Sequence, residues 1–180
     1  MQALIDAAAD KSLDARIVYV ACNHSGAAAL DRAARAGIPS GVFAVPDGYP
    51  SRRLAQQAMA EAIAGVKPGL VVLAGFDRIL EDVVFEKLAG IPLINIHPSL
   101  LPAFGGAGML GEKVHAAVLA SGVAETGCTV HLVERGAVDD GRILVQRRVP
   151  VLPRDDVTTL AARVLAEEHR AIVEAVRKFV

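Results

Sequence analysis

Apolar runs along this chain alternate with stretches in which apolar residues recur every three or four positions, the signature of a doubly wound α/β sheet. Ala15 to Ala21 (Ala-Arg-Ile-Val-Tyr-Val-Ala) reads as a strand, and an Ala-rich helix follows from about Ser25 to Ala36, ending at Gly37. Gly41 to Val45 reads as a second strand. Pro50-Ser51 opens a helix whose apolar stripe includes Leu54, Met59 and Ile63. Gly69 to Ala74 and Ile91 to Ile96 are apolar throughout, as strands buried on both faces are, and the first is expected to be fully buried. A glycine-rich loop from Pro102 to Gly111 leads to a helix around Val114 to Leu119. Two further β segments cover roughly Thr126 to Val133 and Arg142 to Val151. The last helix starts near Asp155-Asp156, acidic residues suited to its positive end, and turns Val157, Leu160, Val164, Ile172 and Val176 inward. The chain opens directly with a helix, without the strand and Gly-rich turn that usually begin such a sheet. No internal repeat, linker or low-complexity tract interrupts it.

Within that pattern, Leu93-Ile94-Asn95-Ile96-His97-Pro98-Ser99-Leu100-Leu101-Pro102 carries the strongest chemical signal. Residues two apart in a strand share a face, so Asn95 and His97 project together. Pro98 then forces the chain out of the sheet. Open parallel sheets bind ligands at the carboxyl ends of their strands, where this amide and imidazole lie. On their own, the pair also fits a structural turn with a hydrogen-bonded core histidine.

Composition narrows the field. A chain of 180 residues that is 53% hydrophobic and 22% charged is a folded globular protein, long enough for one domain with a buried core. A net charge of −1, with only the short pairs Arg52-Arg53 and Arg147-Arg148, gives no basic stripe for a nucleic-acid partner. Cys22 and Cys128 sit in apolar runs and read as buried thiols in a reducing compartment. No Cys or His spacing suggests a metal site. No signal peptide is recognisable at the start, and no apolar run approaches the roughly 20 residues of a membrane span. These features predict a cytoplasmic location.

Two more segments move the balance for Asn95 and His97 towards a functional role. One is Gly127-Cys128-Thr129-Val130-His131-Leu132-Val133 followed by Val138-Asp139-Asp140-Gly141-Arg142-Ile143-Leu144; the other is Leu70 to Leu80 with its Ala-Gly-Phe-Asp-Arg-Ile-Leu ending. Together with the Asn-x-His-Pro string, they resemble the folate-dependent formyltransferase family, most closely its phosphoribosylglycinamide formyltransferase branch, from Met1 to about Val180. The resemblance implies a Rossmann-like, mostly parallel sheet. It also implies transfer of a formyl group from 10-formyltetrahydrofolate, a cosubstrate, to the amine of glycinamide ribonucleotide in purine synthesis. The implied partners are small molecules, with no nucleic acid, no membrane and no metal, in a monomer or homodimer.

The resemblance also assigns roles. His97 shuttles the proton, as its near-neutral ordinary pKa allows. Asn95 donates to the developing oxyanion, and Asp139 stabilises the imidazolium. Asp139 rather than Asp140 keeps the family's spacing to the segment ending at Gln146, although Asp139-Asp140-Gly141 alone reads as an ordinary turn. The cofactor residues implied are Arg52, the backbone of Asp77, Arg78, Ile79 and Leu80, Asn95 again, and Arg135, Gly136, Ala137, Val138 and Asp139. The acceptor residues implied lie in Leu165, Ala166, Glu167 and Glu168, with Glu168 meeting the ribonucleotide.

The chain departs from the family at Asp77, where an apolar residue is common, at Ala107, where many relatives are basic, and at Arg142, where proline is usual. In the family, a first strand and a Gly-x-Gly-Ser-Asn turn that holds the phosphate precede the point matching Met1, and the chain continues past Val180. The expectation is therefore one formyltransferase domain over 1–180, truncated at its N-terminus and slightly at its C-terminus. Absence of that strand would leave the edges near Ile17 and Val71 unpaired. The expectation is likewise that this chain has neither the added C-terminal domain of methionyl-tRNA formyltransferase nor the N-terminal domain of formyltetrahydrofolate deformylase. A sugar-nucleotide N-formyltransferase or a non-catalytic folate-binding remnant stays open as an alternative.

Overall fold

A computed structural model describes residues 1–46 and 48–180. In chain order the elements are α1 (Gln2–Ala9), β1 (Val20–Cys22), α2 (Ala28–Arg35), β2 (Ser40–Val42), α3 (Arg52–Gly65), β3 (Val71–Leu73), α4 (Asp82–Lys87), β4 (Leu93–His97), α5 (Glu112–Ser121), β5 (Glu125–Leu132), β6 (Ile143–Pro150) and α6 (Val157–Val176). This is the α/β class that the alternation predicts. Two compact units share it: Met1–Val71 with Phe76–Pro92, and Val72–Gly75 with Leu93–Val180.

In the first unit, β1 and β2 pair in parallel, with Val20 opposite Ser40 and Cys22 opposite Val42. Val20, Cys22 and Ala33 of α2 form a small core, against which Ile17, Leu30 and Ile38 pack. Helix α3 begins where Ser51 accepts a hydrogen bond from the Leu54 N–H at 3.3 Å, an N-cap of the kind the Pro50-Ser51 opening predicts. Its buried face is Ala55, Gln56, Met59 and Ala60. Leu54, expected on the inner stripe, is instead 46% exposed. It lies in the helix's first turn, beside the buried stripe rather than on it. The short helix α4 is too brief for its periodicity to stand out.

In the second unit the sheet order is β3-β4-β5-β6. Strands β4 and β5 pair antiparallel, with Asn95 opposite His131 and His97 opposite Thr129. Strands β5 and β6 also pair antiparallel, and their register shifts between Val130 and His131. Strand β3 is half-buried along its length rather than fully buried, because among the described residues it ends its sheet, with β4 as its hydrogen-bonded neighbour. The core gathers Ile94, Val114, Val118, Cys128, Val130, Val149, Leu160 and Val164, all essentially inaccessible. Burying a side chain such as Leu160 contributes roughly 1.5–3 kcal/mol. Helix α6 opens on Asp156, whose side chain accepts from the Thr159 N–H at 2.8 Å while the Thr159 hydroxyl accepts from the Asp156 N–H at 2.9 Å. Val157, expected inward, is only half-buried, since it stands in the first turn. Among the described residues no helix is long and apolar enough to cross a membrane.

Candidate active site

The site is built where β4 ends. Asn95 and His97 lie two apart on that strand, and the β5 register brings His131 opposite Asn95 on the same face. The turn after His97 is held by a buried hydroxyl and an amide. Thr129 Oγ1 donates to the Ser99 carbonyl at 2.7 Å and accepts from the Leu101 N–H at 3.0 Å. The Gln146 side chain donates to the Leu101 carbonyl at 2.9 Å. Ser99 in turn donates to the Ala103 carbonyl at 2.6 Å, fixing the start of the glycine-rich loop.

Asp139 arrives from the connection between β5 and β6. It adopts φ +56°, a left-handed conformation that Asp tolerates better than most residues. Gly141 two residues later lies so close to the Leu132 carbonyl that a Cβ would sit 1.9 Å from that oxygen. That approach closes the connection and leaves the Asp139 carboxylate against the two imidazoles. Asp139 Oδ2 is 3.3 Å from His97 Nδ1, and Oδ1 is 3.5 Å from His131 Nε2. The Gly106 N–H donates to Oδ2 at 3.0 Å, tying the glycine-rich loop to the same carboxylate. Asp140, by contrast, is exposed.

All three side chains are withdrawn from water: 4% exposed for His97, 3% for His131 and 11% for Asp139. Burial alone would raise the Asp139 pKa. The hydrogen bond from His131, positive charge on His97 and the Gly106 N–H outweigh it and hold the carboxyl below its ordinary range. His97 Nε2 lies 2.8 Å from the Phe104 carbonyl, so both its nitrogens face oxygen acceptors and both can donate when the ring carries two protons. His131 Nδ1 lies 2.8 Å from the Leu132 carbonyl, and its Nε2 lies 3.3 Å from Asn95 Nδ2. When His131 Nε2 carries no proton, that contact takes one amide hydrogen of Asn95 and the second remains to donate.

The sequence motifs contained His131 but gave it no role, since its place beside Asn95 depends on strand register. His115 of α5 is a second omission. It is 5% exposed, its Nδ1 has no hydrogen-bond partner, and burial pushes its pKa down, with Glu112 opposing and His97 adding to the shift.

The remaining candidates are divided between the two units. In the first unit, Arg52 pairs with Glu81 at 2.6 Å. Asp77 accepts from Asn23 at 2.6 Å and meets His24 at 3.1 Å and Arg78 at 3.2 Å. Burial of Asp77 is again outweighed, here by those hydrogen bonds and charges, and its pKa is lowered. In the second unit, Arg135, Gly136, Ala137 and Val138 form the turn before Asp139, with Gly136 at φ +79° and the Ala137 N–H bonded to the Glu134 carbonyl at 3.2 Å. On α6, Leu165 and Ala166 are exposed, and Glu167 is engaged by Arg147 at 3.3 Å and by Arg170. Glu168 is largely buried, which raises its carboxyl pKa. Cys22 and Cys128 are both buried free thiols, and burial pushes Cys128 up to about 12, so it is no nucleophile.

Residues 1–176 match the family described as formyl transferase. The trifunctional purine biosynthetic protein adenosine-3 of Drosophila pseudoobscura pseudoobscura is 44% identical over 97% of this chain, and the chain covers 12% of that protein. The chloroplastic phosphoribosylglycinamide formyltransferase of Arabidopsis thaliana is 38% identical over 93% of the chain, which covers 56% of it. The chain therefore spans only a small part of the first of these relatives and just over half of the second. Among solved structures, glycinamide ribonucleotide transformylase 1 from Symbiobacterium toebii superposes with a TM-score of 0.88 at 39% identity, covering 98% of this chain and 79% of that one. Phosphoribosylglycinamide formyltransferase from Brucella melitensis gives a TM-score of 0.87 at 41% identity, covering 99% and 88%. With a matching family over nearly its whole length and these structural relatives, the chain belongs to the formyl transferase family.

Proposed function

We propose that this chain transfers the formyl group of 10-formyltetrahydrofolate to the amine of glycinamide ribonucleotide, a step of purine synthesis. The observation that carries this reading is the buried cluster in which one carboxylate faces two imidazoles and an amide lies beside them. Relatives named for the same activity support it.

The folate supplies the formyl carbon and a leaving nitrogen. The acceptor amine forms the new C–N bond, the old C–N bond breaks, and one proton must pass from the attacking to the departing nitrogen. His97 is the group to carry that proton, with Asp139 at 3.3 Å stabilising the ring while it holds two. The free N–H of Asn95 donates to the oxyanion that forms on the formyl oxygen, an interaction strengthened by the low-dielectric surroundings.

For the pterin, the reading uses the backbone of Asp77 to Leu80, the turn from Arg135 to Asp139, and Arg52. For the acceptor it uses Glu168, whose mostly buried carboxyl favours a partner with donors. Glu167 is already held by two arginines and contributes less. Two buried free thiols fit the reducing environment of the cytoplasm.

The test is formyl transfer by the purified protein to glycinamide ribonucleotide and to an amino-sugar nucleotide, with products identified by mass. Formylation of the ribonucleotide is expected. Transfer only to the sugar would replace the acceptor assignment, and failure of the folded protein to bind a 10-formyl folate analogue in calorimetry would remove the folate reading.

A further inference from the structure

Gln56 is a buried carboxamide in the middle of α3, 4% exposed, on a helix face otherwise made of Ala55, Met59 and Ala60. A polar group withdrawn that far from water has to find hydrogen-bond partners. Gln56 finds both on one short stretch of chain. Its Nε2 donates to the Ile79 carbonyl at 2.9 Å, and its Oε1 accepts from the Glu81 N–H at 2.7 Å. In extended chain, residues two apart turn their backbone groups to the same side, and Glu81 is extended at φ −75° and ψ 153°. Gln56 thus acts as a substitute β-strand neighbour along the edge formed by Ile79 and Glu81. In an extended segment bonded in this way, the backbone edge of Leu80 between them faces the other side.

The same stretch has two further ties. Arg52, one turn before Gln56 on α3, holds the Glu81 side chain. Asp77 is held by Asn23 and His24. These ties involve side chains that are partly or largely exposed, and exposed ion pairs contribute little. The Gln56 contact is the buried one, and it acts on the backbone itself.

We infer that Gln56 is a positioning residue: by occupying the Ile79 and Glu81 edge it presents the Leu80 backbone edge to the planar pterin ring of the formyl donor. This rests on the reading that the Asp77–Leu80 backbone holds the pterin. A pterin offers adjacent donors and acceptors along its rim, and reading them demands a backbone fixed in direction. Without Gln56 the Ile79 carbonyl and Glu81 N–H must seek other partners, and the segment loses its set direction.

The test compares Gln56→Met, which keeps length and removes both hydrogen bonds, with Gln56→Glu, which keeps the acceptor for Glu81 N–H but sets an oxygen against the Ile79 carbonyl. Both variants should raise KM for the formyl donor roughly 10-fold, with kcat and the KM for glycinamide ribonucleotide within about twofold. Amide hydrogen exchange at Glu81 should quicken in Gln56→Met and change less in Gln56→Glu, a readout independent of turnover. Where the wild type binds the folate analogue, an unchanged donor KM in the variants overturns the inference, as does equal slowing for both substrates, which marks a merely structural role. Absence of folate binding by the wild type would instead sink the underlying reading. If Gln56→Glu fails to fold, the Glu81 exchange rate in Gln56→Met decides, and if Gln56→Met fails, the donor KM of Gln56→Glu decides; an unaltered value counts against Gln56 in either case.

Discussion

Replacing Asp139 by asparagine isolates the charge at the centre of the site. The amide has the same shape, and its oxygen can still accept from the Gly106 N–H, so the loop anchor at 3.0 Å survives. What is lost is the attraction between a carboxylate and a doubly protonated His97 at 3.3 Å. Two unit charges at that separation attract by about 5 kcal/mol at an effective dielectric constant of about 20, an upper bound on the loss. Asp139 is 11% exposed, so solvent screens it only in part, and the amide's dipole replaces some of the rest. A surviving deficit of about 2.7 kcal/mol corresponds to a fall in kcat of roughly 10²-fold. The assay is steady-state formyl transfer from 10-formyltetrahydrofolate, with KM values and a thermal melt measured on the same preparation. Both KM values should hold while kcat falls, because the interaction matters most when His97 is charged. Acid stability should move as well. The Asp139 pKa is depressed in the folded protein, so its contribution is present above the unfolded value near ~3.9 and is lost as the pH falls through the folded value. The variant should lack that part of the acid transition. Full activity in Asp139→Asn, or an equal loss from the exposed Asp140→Asn, would refute the assignment.

Glu168→Gln should raise KM for glycinamide ribonucleotide about 10-fold or more, the worth of a charge-assisted hydrogen bond, and leave KM for the folate within about twofold; an unaltered acceptor KM would remove Glu168 from the acceptor site. His115→Leu should make the protein less sensitive to mild acid. Burial keeps the folded His115 pKa below its ordinary value, so the unfolded chain takes up the proton first as the pH falls past about 6.5, and the native state loses stability from there downward. Urea midpoints at pH 7.5 and pH 5 should therefore differ less in the variant, and an equal difference would assign the acid sensitivity to other groups.

How much of this was legible in the sequence depends on how far apart the interacting residues lie. Asn95 and His97 were readable because a strand has a period of two and Pro98 ends it. Helix α6 was readable from its acidic start and its long apolar stripe, and both signals are local. Asp139 was not readable from spacing alone: it reaches His97 only because the connection between β5 and β6 folds back, and without the family likeness it is one of two aspartates in a turn. His131 needed the β4–β5 register, which no local pattern contains. Gln56 was hidden for a different reason. The expected stripe of α3 ran through Leu54, Met59 and Ile63, whereas the buried face includes Gln56 and leaves Leu54 outside. A buried amide is visible only once the chain segment that satisfies it is known.

His131 Nε2 stands between the Asn95 amide at 3.3 Å and Asp139 Oδ1 at 3.5 Å. A proton on that nitrogen donates to Asp139; without one, the nitrogen accepts from Asn95. Its other nitrogen faces the Leu132 carbonyl at 2.8 Å in either case, which favours a proton on Nδ1 and leaves Nε2 to choose. The amide that meets the oxyanion and the carboxylate that meets His97 therefore share one atom. Removing the Asp139 charge withdraws one of the two claims on that atom, and removing the Asn95 amide withdraws the other. The effects of Asp139→Asn and Asn95→Ala on kcat/KM should then fail to add, with a coupling energy of about 1 kcal/mol or more in a double-mutant cycle. The same cycle built on His131→Phe, where the shared nitrogen is gone, should show the coupling reduced. Additive losses in the His131 background and in the wild type alike would mean that Asn95 and Asp139 act independently, and that His131 only fills the space between them.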